Sequence, residues 1–353
     1  MPLLPRSRVK DEPATFVSER PEPGSWRLTG GSTGVPMRVF WSHRAHREML
    51  QAKYRFQDAW GIDIFDRTAY LWGRGAPGRR QLVEDRLRNR LRLSAYFLDP
   101  SDLDAHLDRI ERFRPVSIYS YATAAYLLAM AGERRGIRCD ALKLFTMTSE
   151  PAFPTIVRAV ERAFGVPAVV EYGSVDCGFT AAEFPDRTLR VREDLSIVET
   201  LPRDDGRFDL VVTVLNNPSF PLIRYAIGDV SDAPLGTPAH GFGILANVAG
   251  RVNDLAVTST GQLVHFSWFD GFFQAARVLR RWQVRQASDG SIAVSLELES
   301  GETPIPLDDL ARRLSLRLGG FPVTLAFVDA MPQTVAGKHR WVTSELYGHR
   351  LVA

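Results

Sequence analysis

The sequence predicts an α/β protein: a large N-terminal layered α/β domain followed by a small C-terminal α+β domain. Three observations carry that prediction. Helical and strand patterns alternate up to about residue 182, and paired strands take over beyond it. A loop rich in Gly, Pro and Ala at 233–243 then precedes a second, shorter series of elements. Division into residues 1–250 and 251–353 follows, and 353 residues suit one large domain plus a smaller one.

Each element has its own signal. The first stretch, to about residue 24, is proline-rich with mixed charge and reads as an extended or wrapping arm. Residues 42–60 read as a helix with Ser42 as N-cap. Residues 81–93 and 102–113 carry apolar side chains at helical spacing with arginine on the other face, and 119–136 reads as a largely buried helix. A buried strand at 142–148, a helix opened by proline at 151–164 and a strand at 168–172 complete the alternation. Segments 189–200 and 207–215 read as strands bridged by the turn at 202–206. The smaller domain contributes a hairpin near Gly261, strands at 280–286 and 291–299, a helix at 307–318 and a strand at 323–328.

Composition excludes several classes. With 45% hydrophobic and 24% charged residues the chain is of ordinary globular type, and a net charge of +3 is too small to argue for nucleic acid. No early apolar stretch has signal-peptide length, and the longest apolar run, 121–132, is shorter than the ~20 residues of a membrane span. A cytoplasmic protein without a membrane partner is expected. Two cysteines, Cys139 and Cys177, allow neither a disulfide framework nor a cysteine zinc cluster. Of 44 Lys and Arg residues only Lys10, Lys53, Lys143 and Lys338 are lysines, so each ammonium stands out against a guanidinium background.

The strongest local signal is Leu-Thr-Gly-Gly-Ser-Thr-Gly-Val-Pro at 28–36. Glycines interleaved with hydroxyls make a loop whose amides and side chains can wrap phosphate oxygens. It lacks the lysine of the usual phosphate loop. Four further segments follow in order. Glu171-Tyr172-Gly173-Ser174-Val175-Asp176 ends a predicted strand. Pro-Leu-Ile-Arg-Tyr-Ala-Ile-Gly-Asp ends in Asp229, an acid able to bind two ribose hydroxyls. Gly-Arg-Val-Asn-Asp at 250–254 sits at the domain boundary. Gly337-Lys338-His339-Arg340 places a lysine on a loop near the C-terminus.

This ordered set resembles the adenylate-forming enzymes, and more closely the branch of phenylacetate–CoA ligase and the capsular-polysaccharide-biosynthesis proteins. Trp-Gln-Val-Arg-Gln at 282–286 and the turn Ser149-Glu150-Pro151 add to the likeness, which runs from about Trp26 to about Ser344. The resemblance implies the acyl-CoA synthetase-like two-domain fold with a mobile small domain hinged at Asn253–Asp254. It also implies a position-by-position site. Thr29, Ser32, Thr33 and Gly34 would hold the ATP phosphates. Tyr172 would stack on adenine beside Glu150, Pro151, Glu171, Gly173 and Ser174. Asp176 would be the Mg²⁺-linked acid, Asp229 would hold the ribose, and Arg251 would contact ribose or phosphate. Lys338 would reach the α-phosphate and the attacking carboxylate. The implied reaction converts a carboxylic acid, aryl or similar, to an acyl-adenylate with release of pyrophosphate, then transfers it to coenzyme A. The alternatives are transfer to an amine, hydroxyl or carrier-protein thiol, and a non-catalytic nucleotide- or acyl-binding relative.

Three departures matter. The family's glutamate is the shorter Asp176. The stretch that often holds a cysteine zinc site has no cysteine, so no zinc is expected. The phosphate loop begins at residue 29, whereas relatives carry a sizeable preceding segment. A compact form of the fold, or a wall supplied by a homo-oligomer or partner protein, is therefore expected. Three smaller features carry weaker signals. His43 and His46 have i, i+3 spacing and read as surface polar residues, and Cys177 reads as a small buried residue. Tyr119, Tyr121 and Tyr126 suit an acyl pocket and core packing equally.

Overall fold

The computed structural model describes residues 1–29, 37–72, 79–95, 98, 100–150, 152, 154–204, 206–238, 241–246, 248, 255–261, 263–265, 268–269, 272–273, 279–298, 306–329 and 342–346. They fall into two compact units that divide in sequence between Arg251 and Val252.

The larger unit opens with a short strand β1 (Leu4–Pro5), a helix α1 (Arg6–Asp11), and a ribbon of β2 (Gly24–Leu28) and β3 (Arg38–Ser42). Helix α2 (His43–Ala59) begins where expected, because the Ser42 hydroxyl accepts the Ala45 amide at 3.1 Å. The alternation then runs β4 (Thr68–Trp72), α3 (Arg79–Leu87), β5 (Arg90–Ser94), α4 (Pro100–Phe113), β6 (Ser117–Tyr121), α5 (Ala122–Arg135), β7 (Leu144–Thr148), α6 (Pro154–Phe164) and β8 (Ala168–Ser174). Strands β5, β4, β6, β7 and β8 pair in parallel in that spatial order. Beyond β8 the same sheet continues antiparallel through β9 (Gly178–Glu183), β10 (Leu189–Val191) and β14 (Ile244–Leu245).

Period two gives this sheet two unlike faces. Ile118, Phe145, Met147 and Ala168 join Leu107, Leu128 and Val160 of α4, α5 and α6 in one buried cluster. Next along the same strands, Tyr119, Thr146, Val169 and Glu171 belong to the opposite face, where Ala52 and Phe56 of α2 pack with Val169. A second sheet holds β11 (Ser196–Pro202), β12 (Phe208–Val214) and β13 (Tyr225–Ser231), with β1 added in parallel to β13.

Three sequence expectations change. The helix expected over 81–93 is α3 followed by β5. Asn89 at φ 49° ends the helical turn, and pairing with β4 claims the rest. The helix expected over 119–136 starts at Ala122, because residues 117–121 are a strand between β4 and β7. The strand expected over 189–200 is two: β10 joins the large sheet and β11 the second one.

The smaller unit follows its expected order. β15 (Leu255–Val257) and β16 (Leu263–His265) form a hairpin, and Gly261 at φ 83° serves the turn. β17 (Leu279–Gln286) and β18 (Ile292–Leu298) pair antiparallel, flanked by β20 (Val342–Ser344) and β19 (Val323–Phe327). Helix α7 (Leu307–Arg317) places Leu310 and Leu314 in a core with Trp282, Val284 and Leu296.

Phe145 is fully buried at the centre of the main cluster. Truncating it removes a ring that its neighbours can only partly replace. Phe145→Ala is expected to lower unfolding free energy by about 3–5 kcal/mol, read from urea midpoints.

Candidate functional site

The site is built where the parallel part of the sheet ends. β8 leaves the sheet through residues 174–177 and returns as β9. A Cβ on Gly173 would stand 2.3 Å from the Gly178 carbonyl, so only glycine permits this close approach. The Ser174 hydroxyl accepts the Cys177 amide at 2.9 Å, and the Trp41 indole donates to the Val175 carbonyl at 2.9 Å. This tight loop holds Asp176, whose side chain is 1% exposed.

Such a carboxylate needs a countercharge, and it comes from the other end of the chain. Arg6, at the start of α1, pairs its Nη1 with Asp176 Oδ2, and the Tyr225 hydroxyl donates to the same oxygen at 2.7 Å. Nη1 also reaches the Tyr225 hydroxyl at 3.1 Å and the Ile227 carbonyl at 3.4 Å. Burial opposes the charge on Arg6, but Asp176, Tyr225 and Asp229 outweigh it and hold the guanidinium above its ordinary pKa. β1 seats this arm by pairing Leu4 with Tyr225 and Pro5 with Ala226.

Beside this cluster the Tyr172 hydroxyl donates to Asp229 Oδ2 at 3.0 Å. Burial first, then the nearby Asp229, push the Tyr172 phenol well up, so it stays a donor. Tyr225 and Asp229 both come from β13, whose pairing with β12 shifts register between them, where Gly228 has φ 87°.

Glu171 belongs to the opposite face of β8. There Lys53 of α2 meets it at 2.9 Å. The Lys53 ammonium donates to the Tyr119 hydroxyl at 3.0 Å, and that hydroxyl donates to Glu171 at 2.7 Å. Burial opposes the ammonium, but Glu171 prevails and its pKa lies above the ordinary lysine value. Trp72 stacks on Tyr119 with ring centroids 5.6 Å apart, and its centroid is 4.3 Å from that of Tyr121. A mutually neutralised pair, with Glu171 buried and Lys53 half-buried, thus stands beside an aromatic cluster at the ends of β4 and β6.

This geometry meets known structures. A 2-hydroxyisobutyryl-CoA ligase, solved with 2-HIB-AMP and CoA in its thioesterification state, matches with a TM-score of 0.62. It is 16% identical, over 99% of this chain and 82% of that one. The same ligase in its postadenylation state with R3-HIB-AMP matches with a TM-score of 0.59 at 15% identity, over 100% of this chain and 81% of that one. The chain has the adenylate-forming fold. In sequence it is similar to protein CapK of Staphylococcus aureus, 22% identical over 333 residues, which span 90% of this chain and 74% of that protein. No family model matches it.

Set in the adenylate-forming fold, the expected residues divide into three groups. Tyr172, Gly173, Ser174, Asp176 and Asp229 come together around the β8–β9 loop and β13. Glu171 does not join them, because strand alternation sends it to Lys53. Thr29 is buried, and its hydroxyl accepts the Met37 amide at 3.0 Å while its own amide donates to the Met37 carbonyl at 2.9 Å. Glu150 follows β7 directly, after Ser149 at φ 68° turns the chain. Ser32, Thr33, Gly34, Pro151, Arg251 and Lys338, with the hinge at 253–254, lie outside the described residues.

Asp176 Oδ2 accepts from Arg6 and Tyr225, so a guanidinium already balances the charge of the acid that the resemblance links to Mg²⁺. No group of three His, Cys, Asp or Glu among the described residues is arranged to hold a metal. No described helix is long and apolar enough to cross a membrane.

Two residues escaped the sequence reading. Lys53 had a signal, as one of four lysines, whereas Arg6 was one arginine among many. The other candidates settle simply. Cys177 is buried and its thiol is pushed well up by burial and by Asp176, which leaves it inert. Tyr126 packs against the helical core cluster, away from Tyr119. His46 is not a surface residue in full: its Nδ1 is buried with no hydrogen-bond partner among the described residues, and burial, then Arg27 and Lys53, push its pKa down to about 4.

Two outcomes follow. Lys53→Met leaves Glu171 buried without its countercharge and should cost about 3 kcal/mol, whereas Lys53→Met/Glu171→Met should recover most of it. A urea double-mutant cycle reads both. His46 is neutral in the fold with a pKa below its unfolded value of about 6.5. Its contribution is therefore complete above pH 6.5 and is lost as pH falls toward 4. Between pH 7 and 4.5, wild type should lose on the order of 1 kcal/mol more than His46→Gln, after allowance for its partial exposure.

Proposed function

We propose that this chain is an AMP-forming carboxylate ligase that activates a carboxylic acid with ATP. The observation that carries the reading is the Tyr172–Asp229 pair, which joins two residues 57 apart in sequence at the ends of β8 and β13. An aromatic residue and a carboxylate fixed side by side suit a nucleoside, and strand ends of an α/β sheet are where ligands bind. The adenylate-forming fold supplies the rest of the support, since neighbouring structures contain acyl-AMP and CoA.

In this reading Asp229 accepts from the ribose hydroxyls, and the bond from Tyr172 fixes its rotamer. The acid's carboxylate oxygen attacks the α-phosphorus of ATP, the bond to the bridging oxygen breaks, and pyrophosphate leaves. Both reactants are anionic, so positioning and positive charge do the catalysis rather than a protein nucleophile. Lys338 supplies that charge at the oxygens of the reacting centre. A thiol of coenzyme A then attacks the acyl carbon and AMP departs. Attack by an amine, hydroxyl or carrier-protein thiol is the second form of the same step. An aryl acid is the proposed substrate class, in keeping with the aromatic cluster of Trp72, Tyr119 and Tyr121.

Pyrophosphate exchange over a panel of aryl and alkyl acids tests the proposal. At least one aryl acid should support exchange, and Lys338→Ala and Asp229→Ala should each lower it about a hundredfold. Silence across the panel in a chain that still binds ATP would leave a nucleotide-binding protein and sink the ligase. Mass spectrometry with coenzyme A, then with amines, identifies the acceptor.

A further inference from the structure

We propose that Arg6, from the N-terminal arm, is a phosphate-binding residue of the nucleotide site. The inference rests on the nucleotide reading of Tyr172 and Asp229 and extends it to a residue that no motif contains. A guanidinium carries five N–H donors in a rigid planar fork. Among the described residues every hydrogen bond of Arg6 runs through Nη1, to Asp176, Tyr225 and Ile227. Nε and Nη2 have no partner among the described residues, and the side chain keeps 23% of its surface open. One edge of the fork is therefore anchored, and the other retains its donors.

The position suits a phosphate. The Ile227 carbonyl that Arg6 touches lies two residues from Asp229 in β13, a Cα separation of at most about 7 Å. A nucleotide whose ribose sits on Asp229 spans that distance with its 5′-phosphates. Asp229 and Asp176 surround the site with negative charge, which would repel a polyphosphate were no cation present. Arg6 offsets that charge, and its anchored edge fixes where the free donors stand. A lysine could balance Asp176 but could not offer a second, pre-oriented pair of donors.

The test uses the full chain and two probes, adenosine and ATP, with binding measured by calorimetry. Arg6→Gln, made in an Asp176→Asn background so that no buried carboxylate loses its countercharge, should weaken ATP about tenfold or more, the scale of a lost charge-assisted hydrogen bond, and change adenosine less than about twofold. It should also flatten the ionic-strength dependence of ATP binding. Equal losses for both probes would make Arg6 a structural staple of the arm and overturn the proposal, as would unchanged ATP affinity. Should Arg6→Gln fail to fold, Arg6→Lys keeps a charge at Asp176. It should still show the selective loss of ATP; if it binds ATP as wild type does, the guanidinium fork has no role. A wild-type chain that binds neither probe defeats the nucleotide reading itself, an outcome distinct from adenosine binding that survives while Arg6 proves silent.

Discussion

The neutralisation of Asp176 is the constraint on which the rest of this site depends. A carboxylate buried in a loop this tight cannot remain charged without a partner. Arg6 meets that need from 170 residues away, and the pairing ties together the N-terminal arm, the end of β8 and the start of β13. Tyr225 completes the arrangement by donating to the same oxygen. Asp229 stands four residues on from Tyr225 in β13, with Tyr172 bonded to it from β8. Two sheets are joined by polar contacts at the point where chemistry is expected, and each contact is specific about distance and direction.

The same sheet carries a second charge pair on its other face, with its carboxylate buried and its ammonium half-buried. Lys53 and Glu171 neutralise each other, with Tyr119 bridging them and aromatic rings around them. Strand geometry separates these two assemblies with no intervening chain: Glu171 and Tyr172 are neighbours, yet they serve different faces. One strand can thus hold the Tyr172–Asp229 cluster and an aromatic cluster one residue apart in sequence. The peptide unit between them fixes their mutual distance.

Much of this was legible in the sequence. The α/β alternation, the order of the small unit and the N-cap at Ser42 follow from local pattern, because capping and periodicity act within a turn or two. The site around β8 and β13 was also legible, since its glycine, tyrosine and aspartates stand in an ordered motif. Residues 117–121 were misread for a physical reason. Their apolar and aromatic composition suits a buried helix as well as a buried strand, and only pairing with β4 and β7 decides between them. Residues 90–94 follow the same logic, with a left-handed Asn89 as the break.

The sequence by itself determined the α/β alternation, the order of the small unit, the motif that contains Asp229, and which lysines are scarce enough to notice. Tertiary structure alone decided what the acids do. Asp176 reads as a metal-linked carboxylate from its motif, but its environment contains a guanidinium brought by the arm. Glu171 reads as part of the nucleotide site, but its face of the strand belongs to Lys53. Both outcomes have one cause. The charge state and role of a buried carboxylate depend on what the fold brings within about 4 Å of it, and partners 118 to 170 residues away leave no trace in local sequence.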